Sequence, residues 1–193
     1  MTAHDGKKMI AAWLEEGGFA ERLPEVERLK EVPQSEEYHG EGDAFVHTML
    51  AVQAVADEAD IRVFWGALLH DIGKSVTTKL VHGRWRSFGH AEAGAKMTPA
   101  IMERLGMPEL AQDVTWLVKH HQFHFSWQLP PGAKPTRNQL RFMEHPLFPL
   151  LLQVCVADGR ASHGKSGKGE MVDRLAELYA DQQKKSDSRT FQD

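Results

Sequence analysis

The residues of this chain that could do chemistry are imidazoles and carboxylates. Eleven histidines stand against two tyrosines and one cysteine, and histidine is seldom a filler residue. The informative positions are His47, His70 with Asp71 directly after it, His90, the pair His120 and His121, and Asp158. Their neighbours are apolar: Val46 and Met49, Leu68 and Leu69, Trp116 and Val118, Val154 and Val156. A charged or imidazole group on an apolar helix face costs free energy unless it is paired or bound to metal. Imidazoles with two carboxylates and no thiolate suit Mn, Fe, Co, Ni or Zn. The spacings are too long for one helix, so several helices must each project one or two ligands inward, as bundles do when they build a metal centre.

The elements that must hold these residues read as mostly helical. Lys7 to Glu16 is amphipathic and stops at Gly17 and Gly18; Leu23, Pro24 and Glu25 open a further turn. Pro33 to Asp43 is polar and glycine-containing, a loop, and Asp43 suits the N-cap of the helix carrying Val46, Leu50, Ala51 and Val55. Ile61 to His70 is almost wholly apolar and predicts a buried helix. Between Ser75 and Gly89 the period changes to two, around His82 and Gly83, which predicts a small hairpin. Helices are expected near 90–104, 108–120, 136–144, 145–160 and 170–184, followed by a frayed polar tail.

Composition narrows the function classes. At 193 residues, with 23 Lys+Arg against 27 Asp+Glu and a net charge of -4, the chain fits one domain with short extensions. Its mild acidity argues against bulk electrostatic binding of nucleic acid, but not against a local basic patch. The lone Cys155 excludes an intrachain disulfide framework and points to a reducing compartment, the cytoplasm. The longest apolar runs, Phe64–Leu69 and Phe148–Val156, fall far short of a membrane span. The first eight residues lack the apolar stretch of a signal peptide.

The ordered set His47, His70, Asp71 and Asp158 resembles the HD-domain superfamily of metal-dependent phosphohydrolases. The resemblance covers about residues 23–181. It is nearest to the HD domain of bacterial tRNA nucleotidyltransferases and of RNA-repair enzymes that join an HD module to a polynucleotide kinase. Leu23 to Glu25 (LPE), Tyr38 to Thr48 (YHGEGDAFVHT), Leu68 to Lys74 (LLHDIGK) and Gly89 to Ala95 (GHAEAGA) carry it. No acidic polymerase motif precedes the HD region. The resemblance implies an all-α helical bundle with one small β-hairpin, with residues 1–22 as a helical extension, 23–183 as the hydrolase domain and 184–193 as tail or linker.

It also implies roles. His47, His70, Asp71 and Asp158 would hold one divalent ion; His90, His120 and His121 would hold a second, with Asp71 bridging. A hydroxide between two such ions would attack a phosphate ester in line. Lys74 would contact a phosphoryl oxygen, Arg84, Arg86 and Arg160 a phosphate or RNA backbone, and His39 the substrate. Glu92 is a candidate orienter of a ligand imidazole. The implied substrates are 2′,3′-cyclic phosphates and 2′- or 3′-phosphates on nucleotides or RNA ends.

Each role has a plainer reading. A buried His–Asp pair can be purely structural, and adjacent helical residues point ~100° apart, so only one of His120 and His121 needs to be a ligand. Lys74 could simply complement a helix dipole; Arg84, Arg86 and Arg160 could be solvated surface. The tryptophans read mainly as core, with Trp85 able to stack on a base. Rival functions with the same centre are a nucleotidase, a cyclic-dinucleotide phosphodiesterase, an oxygenase and a non-catalytic nucleotide sensor. Gly-Tyr-Pro does not follow the paired histidines, which disfavours the cyclic dinucleotide. Gly159 to Ser166 spells a phosphate-loop pattern, but no strand–helix series accompanies it.

Overall fold

The computed structural model describes residues 1–33, 42–127, 133–162 and 168–190. Helix α1 (Ala3–Glu15) starts at Thr2, whose hydroxyl and backbone nitrogen both engage Asp5. Two short turns follow, α2 (Phe19–Arg22) and α3 (Pro24–Glu27), then a 3-10 turn at Arg28–Glu31. Helix α4 (Ala44–Ala54) is capped by Asp43, which accepts from the Val46 nitrogen at 2.9 Å.

Helix α5 (Ile61–Leu69) is the centre of the molecule. Every residue in it except Arg62 is buried, as expected of a helix apolar on all sides. Arg62 reaches out, donating to Asp60 at 2.7 Å and to Asp113 at 2.8 Å. Around α5 pack α1, α4, α8 (Ala111–His120) and α10 (Phe148–Ala161). Helix α7 (His90–Arg104) runs along α8, and α11 (Lys168–Thr190) covers α10. Phe64, Trp65, Leu68, Leu117, Phe148 and Leu151 are fully buried in this core. Truncating one such leucine to alanine costs about 2–5 kcal/mol.

Between α5 and α7 lie a single turn, α6 (Lys74–Thr77), and an antiparallel hairpin, β1 (Lys79–Val81) with β2 (Arg84–Arg86). Leu80 sits opposite Trp85, and Lys79 opposite Arg86. His82 (φ 49°) and Gly83 (φ 75°) both take positive φ, which a two-residue hairpin turn of matching twist requires. Helix α9 (Arg137–Met143), capped reciprocally by Thr136 and Gln139, precedes α10.

The all-α bundle with one hairpin is thus the observed fold. Two boundaries differ from the sequence reading. Helix α1 begins at residue 3 because the Thr2–Asp5 capping pair satisfies its first turn. Helix α11 runs to Thr190 because no glycine or proline follows Lys184 to stop it before that point. No helix among the described residues is long and apolar enough to cross a membrane.

Candidate metal centre

Each candidate ligand occupies a core position of its helix. On α4 the buried face is Ala44, His47, Thr48 and Ala51. On α8 it is Val114, Leu117, Val118 and then His121, which caps the helix. On α10 it is Leu151, Val154, Cys155, Asp158 and Ala161. These are steps of three and four, one stripe of a 3.6-residue helix. His70 ends α5, Asp71 follows in the turn, and His90 opens α7. Packing α4, α8 and α10 around α5, and α7 along α8, brings these positions together.

The distances define two groups that share one carboxylate. His47, His70 and Asp71 form one set of candidate ligands; Asp71, His90 and His121 form another. Asp71 Oδ2 lies 3.2 Å from His70 Nε2 and 3.9 Å from His47 Nε2. Asp71 Oδ1 lies 3.2 Å from His90 Nε2 and 4.0 Å from His121 Nε2. Asp158 Oδ1 joins the first side, 2.9 Å from His47 Nε2 and 3.9 Å from His70 Nε2. Lys74 Nζ is 2.7 Å from Asp71 Oδ2. All seven side chains are buried, Asp71 at 2% and Asp158 at 3% exposure.

Hydrogen bonding fixes the tautomers. Nδ1 of His70, His90 and His121 lies 2.7, 2.8 and 2.7 Å from the carbonyl oxygens of Ala67, Ser87 and Val118, in each case three residues back. A carbonyl only accepts, so each Nδ1 carries the hydrogen, and each neutral ring presents a lone pair at Nε2. Three lone pairs thereby converge on an ionised carboxylate. His70 Nε2 makes no hydrogen bond among the described residues. Burial alone would raise the Asp71 carboxyl, but the Lys74 ammonium 2.7 Å away works against it, and Asp71 is held well below the usual range. His121 is held well below 6.5, chiefly by burial. A site of buried lone pairs around an anion is costly alone and is relieved by a cation. The donor set of nitrogens and oxygens, without thiolate, fits a divalent transition ion.

Sequence-predicted residues outside these groups are placed as follows. His120 does not reach them. It points about 100° away from His121, and its ring packs 4.7 Å from Trp116 and 5.3 Å from Phe142. The expected paired ligand is therefore a single one, His121. Glu92 does not orient a ligand imidazole either: backbone carbonyls take that role, and Glu92 lines a neighbouring cavity with His120. Arg84 and Arg86 lie on the exposed strand β2, and Arg160 on the exposed side of α10. Lys74 is buried against Asp71, not a solvated helix-end lysine. His39 and the segment from His163 to Ser166 lie outside the described residues. Gly159 to Ala161 belong to α10, so a helix stands where a phosphate loop would need a strand.

From the sequence Gly73 reads only as the end of the Ile61–His70 helix, yet it sets the geometry. A Cβ there would collide with the His90 carbonyl oxygen and stand 2.6 Å from the Gly94 nitrogen. Only glycine lets the start of α7 press against the turn holding Asp71. That approach puts His90 within reach of Asp71. The glycine in LLHDIGK was the available signal.

The HD domain family model matches residues 36–162, about two-thirds of the chain. The chain belongs to the HD-domain family. Curated relatives of this HD domain include the multifunctional CCA protein of Halorhodospira halophila, 36% identical over 165 residues, which are 82% of this chain and 39% of the relative. The multifunctional CCA proteins of Alkalilimnicola ehrlichii and Cupriavidus necator are 37% and 34% identical, over 77% and 90% of this chain and 37% and 43% of their own lengths. The HD chain thus spans about two-fifths of the length of the curated relatives it matches.

Proposed function

We propose that this HD domain is a metal-dependent phosphohydrolase that cleaves phosphate esters of nucleotides or RNA ends: 2′,3′-cyclic phosphates and 2′- or 3′-phosphates. The observation that carries the reading is Asp71. One carboxylate turns Oδ2 to His70 and Oδ1 to His90, with lone-pair nitrogens on both sides. A carboxylate so placed would suit a ligand shared between two ions. His47, His70, Asp71 and Asp158 would hold the first, and Asp71, His90 and His121 the second, with Mn, Fe, Co, Ni or Zn matching the donors.

Such ions, when bound, acidify water toward neutral pH and offset charge on a phosphoryl group. The protein's own residues do the rest. The carbonyls of Ala67, Ser87 and Val118 keep the three Nε2 atoms aimed at one place. Lys74 brings a buried ammonium to the edge of the site, where it offers charge to a non-bridging phosphoryl oxygen. Arg84, Arg86 and Arg160 offer exposed cations to a longer phosphate backbone, and His39 is carried as a substrate contact on sequence grounds. Residues 23–183 are the hydrolase unit in this reading. The named relatives are longer multifunctional CCA proteins, which favours action on RNA ends beside a nucleotidyltransferase or kinase unit in the same cytoplasmic compartment.

The test is metal analysis of the purified protein, then turnover of 2′,3′-cyclic AMP, 2′-AMP, 3′-AMP and 5′-AMP. Bound transition metal with cleavage of the cyclic, 2′ or 3′ esters is expected. Metal-loaded protein that turns over none of them would replace the hydrolase with a nucleotide sensor.

A further inference from the structure

A concavity of about 350 Å³ is lined by sequence neighbours of the candidate ligands His90 and His121 and shares no side chain with the ligand groups. Glu92 of α7 and His120 at the end of α8 form one side. The 3-10 turn Phe123–Ser126, Trp127 and Phe142 of α9 form the other. Its walls are aromatic. Phe123 meets Trp127 at 4.8 Å and 82°, and Phe142 at 5.3 Å and 40°. His120 meets Phe142 edge-on at 5.3 Å. Rings interlocked in this way keep their faces fixed. Trp116, stacked 4.0 Å from His145, backs His120.

The polar side chains lining this cavity are Glu92, Lys119, His120, Gln122 and Ser126, whose hydroxyl donates to the Phe123 carbonyl oxygen at 2.7 Å. Among the described residues, neither the Glu92 carboxylate nor the Gln122 amide is engaged in a hydrogen bond through its side chain. Aromatic rings interleaved with polar side chains, at the small end of ligand-site volumes, describe a site for a flat, polar heterocycle. Its place is also informative: Glu92 lies two residues from the candidate ligand His90 on α7, and His120 directly precedes the candidate ligand His121.

We infer that this cavity holds the nucleobase of the nucleotide whose phosphate lies at the metal centre, stacked on one of the near-perpendicular Phe123 and Trp127 rings and edge-on to the other, with its polar edge against Glu92 and Gln122. The inference rests on the hydrolase reading for the phosphate half only. A carboxylate accepts and cannot donate. Glu92 therefore favours the bases with an exocyclic amine, adenine, cytosine and guanine, over uracil, which has none.

The experiment has two arms. Calorimetry of adenosine, cytidine and uridine with chelator-treated protein tests the cavity without phosphate or metal. Adenosine and cytidine bind, and uridine binds at least about fivefold more weakly. Glu92→Gln levels that preference. Ser126→Phe, filling the cavity from an exposed position, abolishes binding while the folded spectrum is kept. In the second arm, the ratio of kcat/KM for adenosine 2′,3′-cyclic phosphate to that for base-free glycerol 1,2-cyclic phosphate falls at least about fivefold in Ser126→Phe. A parallel fall with an oligoribonucleotide ending in the same cyclic phosphate assigns the site to an RNA terminus; a fall confined to the mononucleotide assigns it to free nucleotides. Nucleosides that bind Ser126→Phe as well as the native protein, or bind neither, overturn the inference, whether or not esters are cleaved. Saturable nucleoside binding without cleavage of any ester removes the hydrolase and leaves the base site standing.

Discussion

Nε2 of His90 and Nε2 of His121 face each other 3.3 Å apart, and in their neutral forms neither has a hydrogen to place between them. Both rings have given their hydrogen to a carbonyl three residues back. Protonating one ring would relieve the contact, but burial opposes that at His121. A shared cation relieves it without a proton, and Asp71 Oδ1 stands ready as its counter-charge.

This contact separates two adjacent histidines. His121→Ala should lose about one equivalent of bound metal with the fold intact, whereas His120→Ala should keep the native content. Elemental analysis of both purified variants decides it; loss of metal in His120→Ala alone would reverse the assignment.

Asp71 serves both groups, so its effect should be larger than that of any histidine. Asp71→Asn is expected to weaken retention of both ions and to lower turnover by more than about 100-fold, beyond what loss of an outer-shell partner costs. Native rates in that variant would end the shared-carboxylate mechanism.

Lys74 is predicted to act on the substrate rather than on metal content. Lys74→Ala should leave metal content near native and reduce kcat about 100-fold, the scale of one lost electrostatic contact in a transition state. Metal loss parallel to the rate loss would instead make Lys74 a support for Asp71, its 2.7 Å partner.

Gly73→Ala forces α7 away from the Asp71 turn. Overpacking of this kind costs about 1–3 kcal/mol, here against the backbone of His90 and Gly94. The melting temperature should drop and the ion held by His90 should weaken first. Equal affinity for both equivalents would show that the close approach does not position His90.

The metal-free protein should lose stability as pH falls. The folded state holds the His121 proton affinity well below 6.5, mainly through burial, while the unfolded chain takes up that proton near 6.5. Below 6.5 the unfolded state binds more protons, so stability declines down to the lowered folded value and is level above 6.5. Asp71 acts with the same sign at lower pH: its contribution is complete above 3.8 and is lost as pH falls through its depressed value. Thermal melts of chelator-treated protein from about pH 8 to about pH 5 check this, and His121→Leu should flatten the upper step. A level profile in the native protein would refute it.

The sequence by itself determined the donor types of the candidate centre, the bundle and the hairpin. His47, His121 and Asp158 fall on the apolar stripes of their helices, and such periodicity is a local property that can be read residue by residue. Asp43 as a cap and His82-Gly83 as a turn were legible for the same reason. Tertiary structure decided which of two adjacent histidines faces the centre, that Asp71 turns one oxygen to each group, and which ring nitrogens keep their lone pairs. It also decided that Glu92, Gln122, Phe123, Trp127 and Phe142 line one cavity. Those outcomes depend on how α7 docks against α8 and on a glycine small enough to permit the approach at residue 73. Contacts between distant segments leave no periodic trace in either segment, so only the packed helices reveal them.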